Sequence, residues 1–203
     1  MTRRTSALRA VLFDMDGVLV DSYDVWFHVL NHAVREFAGG AVSRETFAEL
    51  WGQGIQQDVA RFFPHKTIPE VEAFYQAHFM DHATHLSVDP DAGRVVRAVH
   101  EAGLRQALIT NTPSPLARDI LAHAKLELDA VVGGTDVPNG KPAPDMVLEA
   151  CRRLGVAPRE ALVVGDSHYD RAAAAAAKVR FVGLRIDGER RIEALRDLLS
   201  FVG

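Results

Sequence analysis

The stretch Val11-Leu12-Phe13-Asp14-Met15-Asp16-Gly17-Val18-Leu19 decides how the rest of the chain is interpreted. The apolar residues up to Phe13 are typical of a buried strand, and Gly17 marks the turn at which that strand ends. Two carboxylates that leave a buried strand together repel each other and lose hydration, so proteins that keep them commonly use them to bind a metal or to move protons. In isolation the stretch also fits an ordinary surface turn, and the choice depends on the rest of the sequence.

After this turn the apolar spacing changes from that of a strand to that of a helix. One helical face carries Tyr23, Trp26, Val29, Leu30, Ala33 and Phe37. Helical patterns follow from Ser43 and over Ile55 to Phe63, separated by Gly52-Gln53-Gly54, and a fourth helix is predicted after Pro69. We therefore expect residues 22–89 to be helical throughout, without a strand.

From Pro90 onward, helical and strand patterns alternate. Strands are predicted at 106–110, 130–133, 161–165 and 180–183, and a last amphipathic helix carries Ile192, Leu195, Leu198 and Leu199. Strands that alternate with helices imply a parallel sheet covered on both faces. The first strand belongs to the same sheet. The sequence therefore predicts an α/β, Rossmann-like core of residues 1–21 and 90–203, with residues 22–89 inserted after the first strand as a helical cap.

The residues just past the strand ends are the candidates for binding and catalysis, because the carboxyl ends of parallel strands share one crevice. These residues are Asp14, Asp16, Thr110, Asn111, Thr112, Lys141, Asp166 and Asp170. Four carboxylates with one lysine cannot all ionise together without a further cation, and oxygen ligands with positions left for water and phosphate favour Mg²⁺. Phosphate fits the hydroxyl groups, the lysine and the N-terminus of the helix after the second strand. Asp14 is placed to attack phosphorus, and Asp16 to protonate the leaving oxygen and then to deprotonate water.

Four ordered motifs at these positions resemble those of the haloacid dehalogenase superfamily: Asp14-Met-Asp16-Gly17, Thr110-Asn111, Lys141-Pro-x-Pro and Gly165-Asp166-Ser167-x-x-Asp170. The resemblance implies an aspartyl-phosphate intermediate on Asp14, acid/base catalysis by Asp16, and phosphate binding by Thr110, Asn111 and Lys141. It also implies Mg²⁺ held by Asp14, the backbone carbonyl of Asp16 and Asp166, with Asp170 supporting that metal shell. The inserted helical segment resembles the C1 cap of the phosphoglycolate phosphatase and beta-phosphoglucomutase branch.

The preferred prediction is a Mg²⁺-dependent phosphatase that hydrolyses a small organic phosphomonoester. The alternatives are a beta-phosphoglucomutase-like sugar-phosphate isomerase, a pyrophosphatase, and a non-catalytic phosphate-binding module. Gly17-Val18 resembles the mutases, whereas Gly165-Asp166 does not, because mutases usually carry Glu-Asp there. A receiver-like module is disfavoured, since receivers place the phosphorylated aspartate on a later strand and lack an inserted cap.

Substrate choice is expected to depend on the cap, with Gly52-Gln53-Gly54 as the predicted specificity loop. Its glycines let the backbone approach a ligand, and Gln53 offers donors and an acceptor, although a simple turn between helices is the other interpretation. His168, between Asp166 and Asp170, is a further candidate for substrate contact, whereas Trp26 and Trp51 are expected in the cap core. The cap is acidic overall, which favours a small monophosphate over a highly charged leaving group; its fixed cations are Arg35, Arg44, Arg61 and Lys66.

Composition narrows the class of partner. The chain has 203 residues, 48% of them hydrophobic, and a net charge of -4, which gives no basic surface for nucleic acid. A single cysteine, Cys151, fits a reducing compartment, and no apolar run is long enough to cross a membrane. The sequence thus predicts a cytoplasmic enzyme whose partner is a small phosphorylated metabolite, and it leaves monomer and homodimer as alternatives.

Overall fold

The computed structural model describes residues 7–202. Its strands are β1 (Ala10–Phe13), β2 (Val20–Asp21), β3 (Ser87–Val88), β4 (Arg105–Ile109), β5 (Ala130–Val132), β6 (Ala161–Gly165), β7 (Arg180–Leu184) and β8 (Arg190–Ile192). Within these residues, six strands form one sheet in the order β5-β4-β1-β6-β7-β8, and each neighbouring pair in it is parallel. The structure confirms the predicted α/β, Rossmann-like fold.

Strand β1 lies at the centre of this sheet. It pairs with β4 on one side, where Phe13 is opposite Leu108, and with β6 on the other, where Phe13 is opposite Val164. All four of its side chains are buried. Val11 and Phe13 belong to the hydrophobic cluster on one face of the sheet, and Ala10 and Leu12 belong to the cluster on the other. A strand covered on both faces needs a continuous apolar run, as this sequence provides.

The helices come in two groups. Between β2 and β3 lie α1 (Tyr23–Ala38), α2 (Arg44–Leu50), α3 (Ile55–Phe62) and α4 (Ile68–His78), followed by a 3₁₀ helix (Met80–His85). After β3 lie α5 (Ala92–Glu101), α6 (Ser114–Ala124), α7 (Asp145–Leu154), α8 (His168–Ala177) and α9 (Leu199–Val202), with short 3₁₀ helices at Pro158–Glu160 and Leu195–Leu198. No helix among the described residues is both long and apolar enough to span a membrane.

The first group of helices, here called the helical insertion (residues 22–86), leaves and rejoins the sheet through a short antiparallel ribbon. In this ribbon β2 pairs with β3, and the Asp89 N–H donates to the Leu19 carbonyl at 3.0 Å. One hydrophobic cluster runs from the turn after β1 into α1 and α4. The insertion therefore packs directly over the carboxyl edge of the sheet. The division into a core and a cap at residues 21/22 and 89/90 stays a prediction.

Two expectations about secondary structure are wrong. Residues 22–89 are not free of strands, because Ser87–Val88 pairs with β2 to close the ribbon. The last helix does not begin at Ile192: this residue ends β8, a strand that was not predicted, and lies opposite Leu184 of β7. The chain turns after it, where the Asp197 carboxylate accepts from the Glu193 and Ala194 backbone N–H groups, at 3.2 and 3.0 Å, and starts the 3₁₀ helix there.

Candidate active site

Neighbouring strands deliver the site residues to one point. Asp14 follows β1, Thr110 follows β4 and Asp166 follows β6. Because β1 lies between β4 and β6, these side chains meet at the carboxyl edge of the sheet. The sheet extends outward from β1 on both sides, and ligands commonly bind at such a point. Lys141 reaches the same point from the loop between β5 and α7.

Lys141 is buried between two carboxylates. Its Nζ lies 2.6 Å from Asp14 Oδ1, 2.6 Å from Asp170 Oδ1 and 3.3 Å from the Ile109 carbonyl oxygen. Burial disfavours the charged amine, but the two carboxylates outweigh it and raise the pKa of Lys141 above its usual value. The lysine is therefore a fixed positive charge at the floor of the site.

Asp170 is held from both sides. One of its carboxylate oxygens accepts from Lys141, and the other accepts from the Ser167 backbone N–H at 3.1 Å and from the Ser167 hydroxyl. These contacts form the capping box that begins α8. Asp170 is fully buried. A Cβ at Gly165 would lie 2.4 Å from the Cβ of Asp170, so a residue with a side chain does not fit there.

Asp16 is bound on each carboxylate oxygen by a different part of the molecule. Oδ1 accepts from the Ser22 hydroxyl and from Trp26 Nε1 at 3.3 Å, both donors belonging to the helical insertion. Oδ2 lies 3.4 Å from the hydroxyl oxygens of Thr110 and Thr112, which follow β4. Burial raises the pKa of Asp16, and the Ser22 hydrogen bond opposes that rise. The structure thus places the predicted Thr112 against Asp16.

Three of the acids form a cluster whose negative charge exceeds the single positive charge of Lys141. Asp14, Asp166 and Asp170 each offer a carboxylate oxygen, and these oxygens lie within 4.8 Å of one another. Burial and then the Asp170 carboxylate raise the pKa of Asp14 well above its usual value, and the same causes raise the pKa of Asp166 to about 7. An all-oxygen donor set with excess negative charge fits Mg²⁺. The residues present therefore suit the predicted cation.

Gly17 makes room for this acidic cluster. Its φ is 82°, a left-handed conformation that glycine adopts without strain. A Cβ at this position would lie only 1.9 Å from Asp166 Oδ2. The glycine after the two acids is thus required by space as well as by backbone conformation, because the Asp166 carboxylate occupies the volume of its missing side chain.

Asn111 links the insertion to the sheet. Its Nδ2 donates to the carbonyl oxygens of Gly52 and Lys141, each at 3.1 Å, and its Oδ1 accepts from the Lys141 backbone N–H at 2.8 Å. Both N–H groups of the amide and one acceptor position of its oxygen are used in these contacts. Asn111 therefore fixes the backbone that carries Lys141 and holds the predicted specificity loop above the site.

Next to that loop lies the carboxyl group of Asp58, which the sequence analysis did not identify as a site residue. Gln53 Nε2 donates to Asp58 Oδ1 at 2.6 Å, and the Tyr75 hydroxyl donates to Asp58 Oδ2 at 2.9 Å. Burial raises the pKa of Asp58 to about 6, although both hydrogen bonds oppose the rise. The available signal was its helical spacing from Ile55 and Phe62, which puts an acid on the apolar face of α3.

The sheet edge and the insertion enclose a cleft with a volume of about 90 Å³. The predicted residues Asp14, Asp16, Gly52, Gln53, Thr110, Asn111, Thr112, Lys141 and Asp166 line it, together with Asp58, Tyr75, Trp26 and Trp51. The two tryptophans pack against the hydrophobic cluster, as expected, and they also line the cleft. Gly54 and His168 do not line the cleft: Gly54 caps α3, and His168 is exposed beside Tyr169, 4.0 Å between ring centroids. Asp170 lies beneath the cleft surface.

The chain is similar to known proteins over most of its length. The family model described as "Haloacid dehalogenase-like hydrolase" matches residues 11–184. A phosphoglycolate phosphatase of Cupriavidus necator is 31% identical, over 84% of this chain and 78% of that protein. The pyrophosphatase PpaX of Halalkalibacterium halodurans is 29% identical, over 97% of each chain. The crystal structure of CbbY from Rhodobacter sphaeroides in complex with phosphate has the same fold, with a TM-score of 0.83 and 24% identity over 94% of this chain and 96% of that one.

Replacing Gly17 is expected to displace the Asp166 carboxylate. We expect Gly17→Ala to lower kcat/KM for an aryl phosphate on the order of 10²-fold, because a side chain moved by about 1 Å can cost that much. The matched control is Gly93→Ala in α5, where an added Cβ meets nothing within 4 Å. Steady-state phosphate release measures both variants, and equal activity of the two would contradict the steric role of Gly17.

The buried Asp58 carboxyl group is expected to make stability depend on pH. Its pKa is raised in the folded protein to about 6, so its contribution to stability is full below the unfolded-state pKa and is lost as pH rises through 6. Relative to wild type, Asp58→Asn should therefore gain about 2 kcal/mol in free energy of unfolding between pH 4 and pH 8. Urea titrations of both proteins at the two pH values measure this, and a difference independent of pH would contradict the assignment.

Proposed function

The chain belongs to the haloacid dehalogenase-like hydrolase family and is a phosphoric monoester hydrolase of that type, and we propose that it hydrolyses a small organic phosphomonoester with Mg²⁺ through an aspartyl-phosphate on Asp14. The observation that carries the proposal is that Asp14, Asp166 and Asp170 offer carboxylate oxygens within 4.8 Å of one another, beside the buried Lys141 that contacts Asp14 and Asp170. Such a site neutralises an anionic phosphate with one lysine and a divalent cation, and it presents a carboxylate to the phosphorus atom.

Asp14 is the proposed nucleophile. Its Oδ1 is hydrogen-bonded to Lys141, and no donor among the described residues is hydrogen-bonded to Oδ2. Oδ2 is thus the oxygen available for attack. The attack forms an acyl phosphate and breaks the bond from phosphorus to the leaving oxygen, and a water molecule then attacks the phosphorus to release phosphate and regenerate Asp14.

The proposed Mg²⁺ ligands are Asp14, Asp166 and the backbone carbonyl of Asp16, with Asp170 in support. When bound, Mg²⁺ offsets the negative charges of the carboxylates and the phosphate and so stabilises the charge that develops during transfer. The chain itself supplies Lys141, whose position is fixed by Asp14, Asp170 and the Asn111 amide. Lys141 and the Thr110 hydroxyl are the proposed phosphate contacts.

Asp16 is the proposed general acid and base. Burial raises the pKa of Asp16, which favours the protonated acid that gives a proton to the leaving oxygen and later recovers one from the attacking water. The hydroxyl groups of Thr110 and Thr112 and the indole of Trp26 fix the orientation of this carboxylate. The insertion covers it, so bulk water has little access to the acyl phosphate.

A pyrophosphatase is the second candidate, because one relative of that name aligns over 97% of both chains. The mutase alternative loses part of its support: Val18, the residue that resembles the mutases, is 1% exposed and packs in the hydrophobic cluster rather than in the cleft. Val18 therefore does not contact substrate, although it differs from the residue that many phosphatases have at this position.

The nucleophile assignment is tested by Asp14→Asn. Because a neutral amide does not attack phosphorus, we expect phosphate release to fall on the order of 10⁴-fold or more. Release is measured with Mg²⁺ and with EDTA across phosphoglycolate, sugar phosphates, nucleotides, pyrophosphate and nitrophenyl phosphate. Asp187→Asn, at a side chain 86% exposed, is the control and should match wild type. Turnover by pure Asp14→Asn at the wild-type rate, or wild-type turnover unaffected by EDTA, would overturn the mechanism.

Asp16→Asn tests the proton transfer. General acid catalysis typically contributes on the order of 10² to 10⁴-fold, and a poor leaving group needs it most. We therefore expect kcat for an alkyl phosphate to fall by more than kcat for nitrophenyl phosphate, whose leaving oxygen needs no proton. If only KM changed, and equally for both substrates, Asp16 would be a binding residue instead.

A further inference from the structure

The insertion places a carboxyl group, and no cation, on its side of the cleft. We propose that Asp58 is a specificity-determining residue that selects phosphomonoesters whose leaving group presents a hydrogen-bond donor and carries no negative charge. This inference rests on the proposed phosphatase function and names the substrate class of the same cleft.

The position of Asp58 gives it the capacity to bind a ligand donor. Each of its carboxylate oxygens accepts one hydrogen bond from the protein, from Gln53 and from Tyr75. A carboxylate oxygen has more than one acceptor site, so both oxygens can accept again. All three side chains line the cleft. Gln53 and Tyr75 thereby fix the direction of the Asp58 carboxylate, and Gln53 is a positioning residue rather than an independent contact for substrate.

Charge in the cleft disfavours an anionic leaving group. Among residues 7–202, Lys141 is the only cation that lines the cleft, and it is already bound by Asp14 and Asp170. The cations of the insertion lie elsewhere: Arg44 pairs with Asp24, and Lys66 pairs with Glu70, while neither lines the cleft. A carboxylate or second phosphate on the leaving group would therefore face Asp58 with no compensating charge, in a site where water screens little.

The rest of the insertion's wall is apolar. Leu30, Phe47, Leu50, Trp51 and Ile55 line this side of the cleft. These side chains favour a short carbon skeleton between the phosphate and the donor group that reaches Asp58. Hydroxyl and ammonium groups share the required chemistry, because both donate and neither is negative. Ethanolamine phosphate and glycerol phosphate represent the two sources of this chemistry, whereas phosphoglycolate and pyrophosphate represent the excluded class.

The first test uses the wild-type protein with Mg²⁺. We expect kcat/KM for ethanolamine phosphate, for glycerol phosphate or for both to exceed that for phosphoglycolate and for pyrophosphate by about tenfold or more. The better of the first two substrates tells whether the donor is an ammonium or a hydroxyl group. Preference for phosphoglycolate or pyrophosphate, or equal values for all four, would overturn the inference. Failure to hydrolyse even nitrophenyl phosphate would instead count against the proposed function, so the two failures are distinguishable.

The second test assigns the selectivity to Asp58. Asp58→Asn keeps the size of the side chain and removes its charge, so the preference for the donor substrate over phosphoglycolate should fall by about tenfold or more. Asp81→Asn changes the charge of the insertion equally at a side chain that is 61% exposed and outside the cleft, and it should leave the preference unchanged. An unchanged preference in Asp58→Asn, or an equal loss in both variants, would overturn the assignment. Should Asp58→Asn fail to fold, the wild-type panel still decides the inference.

Discussion

The structure depends on keeping several carboxylates and one lysine out of water at the same edge of the sheet. The lysine, Lys141, is 127 residues from Asp14 and 29 residues from Asp170 in the chain, and its amine contacts both. Removing one partner of a buried ion pair leaves an uncompensated charge, which typically costs about 3–5 kcal/mol. The strand crossovers from β1 to β6 must all be in place before these charges meet. Sheet topology and charge pairing therefore support each other.

The sequence was sufficient to predict the fold class, because the alternation of buried runs with helical patterns has few other solutions. The prediction of secondary structure failed for strands that are too short, or have too few buried residues, to show a periodic pattern. Ser87–Val88 is too short to show a period, and β8 has only Ile192 buried, beside Arg190 and Arg191. Both strands exist because a neighbouring strand offers backbone hydrogen bonds, which is information held by the tertiary structure. Ile192 was consequently assigned to the last helix, whereas the helical residues begin after it, at Leu195.

For the candidate site, the residues that follow the strands could be predicted, since parallel strands bring their ends together. Site residues of the insertion were harder to predict, because the direction of their side chains depends on how the helices pack over the sheet. Trp26 lies on an apolar stripe and fits a core, yet its Nε1 donates to Asp16. Asp58 was visible only as an acid on an apolar helix face. His168 was chosen for its nearness in sequence, but position N1 of α8 directs it to the surface.

The two oxygens of Asp16 are held by two different parts of the molecule, one by α1 and the segment before it, the other by the loop after β4. If the insertion moved away from the sheet edge to admit substrate, Oδ1 would lose the Ser22 and Trp26 donors, whereas the Thr110 and Thr112 hydroxyl groups would stay beside Oδ2. The proton affinity of Asp16 is consequently tied to the opening of the cleft. The same displacement that opens the cleft would therefore also change how readily Asp16 holds a proton.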